Sequence, residues 1–180
     1  MGTLDTGMID KLERDRMREL LDVYGKLTLT IDGLWIQAVE KKYGTDVCVK
    51  MYTEVMVDFG KIQARRMAKF LGIPLGNATI QDMVTVHTTG PWGRVGASEY
   101  IQISDKELEL RFINCHPQTS RKARGQAIFP CKEMEKAELA ALFGTLNSKA
   151  RIECVFSPPD NRPAEVNEDV SCAWKVIVDN

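Results

Sequence analysis

Four of the five cysteines, Cys115, Cys131, Cys154 and Cys172, lie in the C-terminal half of the chain. Four thiolates satisfy tetrahedral zinc, and they can equally hold an iron–sulfur cluster, which is the lesser expectation. No C-x-x-C pair occurs, so such a centre needs ligands carried in from separate strands and loops. Cysteine is also among the most buried residue types. At this point the thiols can be a metal site, buried core or reactive groups. Cys48, beside Val47 and Met51, reads as core.

The second feature is the stretch NCHPQTSRKARGQAIFPCK from Asn114 to Lys132, which holds His116, Arg121, Lys122, Arg124 and Lys132 and no acid. A local basic loop bracketed by Cys115 and Cys131 can grip a carboxylate or phosphate, with the arginines as planar forks. The blander alternative is a solvated loop. His116, Arg121 and Arg124 are the candidate ligand-binding residues. Among the acids, Glu54 and Asp58 are four apart and share a helix face; with Asp32 and Glu40 they could do acid–base work or stand paired to lysines. The chain has two histidines, His87 and His116, too few for a histidine-rich zinc enzyme. Neither the P-loop nor the nucleophile-elbow pattern is present, and the residues assign no catalytic group.

The elements that must position these groups follow from periodicity. Leu20, Val23, Tyr24 and Leu27 recur at helical spacing, and Leu34 to Val39 form a second amphipathic stretch between Gly33 and Gly44. Thr45 reads as the N-cap of a third helix carrying Met51, Val55, Phe59 and Ile62 on one side, stopped by Gly72 and Pro74. Ile80 to His87 reads as a short helix, and Gly90 to Gly96 as a connector. Tyr100–Ile103 and Glu107–Phe112 suggest a hairpin, the latter with Leu108, Leu110 and Phe112 on one face. A helix is expected over Glu133–Phe143, ended by Gly144. Two further strands follow, with Ile152, Cys154 and Phe156 inward on the first and Cys172, Trp174, Val176 and Val178 inward on the last. Helices first and antiparallel strands later is an α+β pattern. It predicts N-terminal helices packed on a mostly antiparallel sheet with a C-terminal cysteine cluster. Residues 1–180 are expected to form one domain, helical over 1–75 and α/β over 76–180.

Composition bounds the rest. A chain of 180 residues with a net charge of −1 has no field that would draw it to nucleic acid or an anionic membrane. The polar start and the lack of a long apolar run point to a cytoplasmic protein that binds neither nucleic acid nor membrane. Gly2 and Thr6 meet the bare spacing of a myristoylation signal, which is too short to weigh. An odd number of cysteines in a reducing compartment argues against a disulfide framework. The expected partner is a small molecule, a carboxylate being one candidate, and the chain is compatible with a homodimer.

Several segments together carry a resemblance: DGLWIQAVEKKYG at 32–44, FGKIQARRMAKFLGI at 59–73, NCHPQTSRKARG from 114, FPCK from 129, IECVFSPPD from 152 and SCAWK from 171. In order and spacing they resemble an uncharacterised prokaryotic family of the DUF6125 type. That family looks related to the L-2-amino-thiazoline-4-carboxylic acid hydrolase group and, more distantly, to 4-vinyl-reductase-type ligand-binding domains. The resemblance implies Cys131, Cys154 and Cys172 as zinc ligands, with Cys115 as the natural fourth. The function expected first is therefore a metal- or small-molecule-binding domain with a four-cysteine site. The alternative is a hydrolase acting on a C–N bond of a small carboxylate-bearing cyclic amidine.

Overall fold

A computed structural model describes residues 7–179; Gly2 and Thr6 lie outside the described residues. After a single 3-10 turn at Ile9–Lys11, helix α1 runs unbroken over Arg14–Tyr43. Gly33 does not divide it, because an isolated glycine costs a helix only about 1 kcal/mol. Gly44, at φ 84°, makes the turn into α2, Thr45–Leu71. Thr45 is thus the first helical residue of α2 and not its cap; its hydroxyl donates to Glu40 at 2.8 Å. Gly72, in the left-handed region, closes α2 as expected.

Helix α3, Ile80–Thr89, opens on a capping box in which Thr79 and Asp82 satisfy each other's backbone N–H groups. The glycine-rich connector folds as a short helix, α4, Pro91–Val95, with proline at its first turn. Strands β1, Ala97–Ser104, and β2, Glu107–Ile113, form the expected hairpin. The basic segment is not a loop throughout: His116–Ala123 is helix α5, again with proline in the first turn. Helix α6, Lys132–Leu146, continues through Gly144. Strands β3, Ala150–Phe156, and β4, Val170–Val178, complete one antiparallel sheet in the order β1-β2-β4-β3.

One face of this sheet is the main core. Leu108 and Leu110 of β2 and Trp174 and Val176 of β4 meet Met83 and Val86 of α3 and Leu139, Leu142, Phe143 and Leu146 of α6. Ala64 and Ala68 bring the C-terminal half of α2 into the same cluster. At Gly60 the α2 backbone lies so close to α6 that an added Cβ would sit 2.9 Å from the Glu138 carbonyl oxygen. Gly60, Ala64 and Ala68 leave room on α2 for this close backbone approach.

That geometry reverses one expectation. The apolar stripe read as the core face of the first helices faces outward. Tyr24, Leu27, Ile31, Leu34 and Trp35 on α1, and Met51, Val55 and Ile62 on α2, are exposed. Only Gly25 and Val39 of α1 are buried. A second departure is in β3. A bulge between Cys154 and Phe156 turns Phe156 to the opposite face, where it packs on Ala173 and Val170 rather than joining Ile152 in the main core. Among the described residues, no helix is long and apolar enough to cross a membrane.

Candidate functional site

The N-terminal part of α2 and most of α1 project past the sheet. Helix α5 and the segment after it fold back beneath them, and a cavity of about 410 Å³ remains at the junction. Its walls are Leu29, Asp32 and Ile36 of α1, Tyr52 and Met56 of α2, Trp92 of α4, Phe112 of β2 and Met134, Glu135 and Glu138 of α6, with α5 along one side. A space of this size, mostly apolar with a few converging polar groups, is what small-molecule sites generally share.

The wall contributed by α5 is built firmly. Arg121 is buried and uses every nitrogen of its guanidinium. Nη1 and Nη2 donate to the two carboxylate oxygens of Glu40 at 2.7 and 2.9 Å, and Nε donates to the Ala127 carbonyl at 2.6 Å. The guanidinium also lies over the Phe129 ring, 5.4 Å from its centroid. This bidentate pair holds Glu40 below the usual carboxylate range. The Gln118 amide acts as a piece of backbone: its nitrogen donates to the Phe129 carbonyl and its oxygen accepts from the Phe129 N–H. Of the three candidate ligand-binding residues, all lie around the cavity, but in different roles. Arg121 is committed to Glu40. His116 and Arg124 are exposed at the rim, and Arg124 donates to Gln126 at 3.2 Å.

The interior of the cavity is acidic. Asp32 accepts a hydrogen bond from the Tyr52 hydroxyl at 2.9 Å. Burial raises its pKa and that bond offsets part of the rise. Glu135 and Glu138, one helical turn apart on α6, face the same space. Desolvation pushes Glu135 up to about 7. Glu138 is raised further, by burial first and then by the negative charge of Glu135 and Asp32. Burial and like charge both favour the protonated form of Glu138. Glu138 is only 6 % exposed. The Trp92 indole N–H offsets part of the Glu138 rise, yet that N–H is buried without a hydrogen bond of normal geometry. His87, also at the cavity, is buried and driven down to about 4, so it is neutral. Its Nδ1 hydrogen-bonds the Tyr100 hydroxyl at 2.5 Å and its ring stacks on Phe143, 6.0 Å between centroids.

The cysteines divide. Cys115 and Cys131 line the cavity, and Cys172 lies near enough to both, and to Glu135, to feel their charge. Cys154 stands apart, with Lys132 and Asp160 as its main charged neighbours. Cys154 and Cys172 both face the main core as expected, but they do not oppose each other: Cys154 pairs with Trp174, and Cys172 with Phe112. The regular register of the sheet sets this two-residue offset, and the irregularities lie beyond both pairs. Burial raises all four thiols above their ordinary range, Cys131 to about 11. They are therefore protonated at neutral pH. Among the described residues, no group of three or more His, Cys, Asp or Glu side chains is arranged to hold a metal ion. The donor set does not fit zinc as it stands.

Of the acids singled out from sequence, Asp32 lines the cavity and Glu40 pairs with Arg121 in its wall. Glu54 and Asp58 are exposed on α2. Glu135 and Glu138 went unnoticed in a segment read only as a good helix. A signal was available: Met134, Glu138 and Leu142 recur at four-residue steps, which places a carboxylate on the apolar stripe of α6. A charged residue on the buried stripe of an amphipathic helix is the cue.

A comparison with curated proteins finds no match. The model of a family of unknown function, DUF6125, matches residues 10–178, and the chain belongs to that family.

Proposed function

We propose that the protein is a small-molecule-binding domain whose ligand occupies the cavity between the α1–α2 hairpin, α5, α6 and the end of the sheet. One observation carries this reading: a cavity of ligand size, mostly apolar, into which the buried carboxyl of Glu138 faces without a hydrogen bond of normal geometry from its neighbour Trp92. Buried polar groups are normally satisfied, so groups left open toward a cavity suggest a partner supplied from outside. Gly33 offers a clean test. It lines the cavity, and a Cβ there would meet nothing within 4 Å. Gly33→Phe is expected to fill the space without strain and to leave α1 intact. The neutral fluorescent probe N-phenyl-1-naphthylamine should bind the wild type and not Gly33→Phe. Equal binding by both, or by neither, would sink the reading.

A hydrolase acting on a C–N bond is the second reading, favoured by the carboxyl of Glu135 near 7. A general acid or base works best with its pKa close to the operating pH. Arg121 is not free to grip a substrate carboxylate in that scheme. The rim groups Arg124 and His116 remain for that role. Turnover of L-2-amino-thiazoline-4-carboxylate, lost in Glu135→Gln with the fold retained, is the outcome that would favour it. Neither reading routes a step through zinc.

A further inference from the structure

Resting on the small-molecule reading, we infer that the ligand carries a cationic amine on an apolar body, and that the amine docks at Glu138 beside Asp32. The argument is one of missing counter-charge. Three carboxyls line the cavity: Asp32 from α1 and Glu135 and Glu138 from α6. The cationic side chains around them are all accounted for. Arg121 of α5 is neutralised by Glu40. Arg124 and His116 are exposed at the rim. His87 of α3 is buried and neutral. Tyr52 of α2 is spent on Asp32 and its hydroxyl is held protonated. The thiols of Cys115 and Cys131 are protonated too.

Glu138 is the decisive residue. It is more than nine-tenths buried, faces the cavity, and accepts no hydrogen bond of normal geometry from the one donor that reaches toward it. Burying an unpaired carboxyl is costly, and proteins avoid it unless the group is neutralised or paired. Desolvation favours the protonated form of this carboxyl. An ammonium group would replace that proton with a counter-ion and bring three N–H donors to oxygens that have none. The rings of Tyr52, Trp92 and Phe112 line the same space, and aromatic rings attract a cation over their faces. They also give an apolar body a wall to bury against. An anion would meet three carboxyls, and a neutral alcohol could satisfy one oxygen but would bring no charge.

Displacement of N-phenyl-1-naphthylamine from the full chain tests this with three probes of nearly one shape: 1-naphthylmethylamine, 1-naphthalenemethanol and 1-naphthoic acid. The amine is expected to bind about tenfold or more tighter than the alcohol, as charged hydrogen bonds outrank neutral ones, and the acid should bind most weakly. Glu138→Gln should abolish the preference for the amine while the alcohol and the fluorescent probe still bind. A second measurement needs no variant. Calorimetry near neutral pH in two buffers of different ionisation enthalpy should show proton release when the amine binds and none when the alcohol does. Equal affinity for amine and alcohol, or amine binding without proton release, overturns the inference while leaving the cavity as a binding site. If the fluorescent probe itself fails to bind, the small-molecule reading falls with it.

Discussion

The two carboxyls of α6 make stability depend on pH in a direction opposite to that of an ordinary salt-bridged acid. A carboxyl whose folded pKa is raised binds its proton more tightly in the folded state than in the unfolded one. Its contribution is fully present below the unfolded pKa and is lost as pH rises through the folded value. For Glu135 those limits are the model-compound 4.5 and about 7. The difference corresponds to roughly 3 kcal/mol at 1.36 kcal/mol per pKa unit. Glu138 shifts in the same direction and adds to the loss at higher pH. Glu40 works the other way: its stabilisation is present above its unfolded pKa and disappears in acid, outside this window. The perturbation is therefore the double variant Glu135→Gln, Glu138→Gln, which keeps size and removes both titrations. Urea unfolding of both proteins should be compared at intervals between about pH 5 and about pH 8. Wild type should lose roughly 3 kcal/mol or more relative to the variant across that range. Contributions from His87 and Glu40 are common to both proteins, and the mutual repulsion of Asp32 and Glu138 is part of the difference measured. Parallel stability curves would mean that the carboxyls are not desolvated in solution, and the account of the cavity given above would be refuted.

Three further outcomes are expected. Arg121→Ala should destabilise the fold by about 3 kcal/mol, since it leaves a largely buried Glu40 unpaired; chemical denaturation measures this, and a loss below about 0.5 kcal/mol would return Arg121 to the role of a free ligand-binding group. Gly60→Ala should cost about 1–3 kcal/mol of stability, because the new methyl would press on the Glu138 carbonyl and the Leu142 N–H, both backbone atoms of α6; an unchanged melting temperature would show that the α2–α6 crossing is looser than described. The outward stripe Tyr24, Leu27, Ile31, Leu34 repeats at three- and four-residue steps along exposed α1, the spacing of a helix-pairing seam. If a second copy covers it, sedimentation should show a dimer that Leu27→Glu with Ile31→Glu converts to a folded monomer, and a wild-type monomer at high concentration would dispose of the idea.

Much of the architecture is legible in the chain because local rules agree there. Leu108, Leu110 and Phe112 alternate with charged residues and do form a half-buried strand. Thr79 and Asp82 cap a real helix, and Gly72 ends one. Reading fails where a tertiary demand outweighs local pattern. Apolar periodicity placed the core face of α1 at Tyr24 and Leu27, but the inward face is chosen by close packing. Gly25 and Gly60 are buried because no larger residue would fit. The cysteines mislead for a related reason. Alternation puts Cys154 and Cys172 on the face that meets the main core, as found, but it does not give the register, which sets Cys154 opposite Trp174 and Cys172 opposite Phe112. The basic segment borders the cavity, and its Arg121 is tied to Glu40 in the wall. Its partner Glu40 is far away in sequence, so no local spacing could have announced the pair.

Helix α6 explains why the acidic site can exist at all. Its C-terminal turns place Leu139, Leu142, Phe143 and Leu146 in the main core, and α2 is pressed against its middle at Gly60. The helix cannot rotate to carry Glu138 toward water without tearing those residues from the sheet. Full burial of each such side chain is worth about 1.5–3 kcal/mol. These core contacts oppose any rotation that would carry Glu138 toward water. The carboxyls are therefore fixed in place before any ligand arrives, on a regular element and not a loop. A site positioned in that way loses little entropy when it binds. The same logic separates the two readings of function. A carboxyl pair held rigidly and kept partly protonated serves a binding domain if its proton is exchanged for a ligand's charge. It serves an enzyme if that proton is passed to a bond being broken. Proton release on amine binding, measured without turnover, distinguishes the first case from the second.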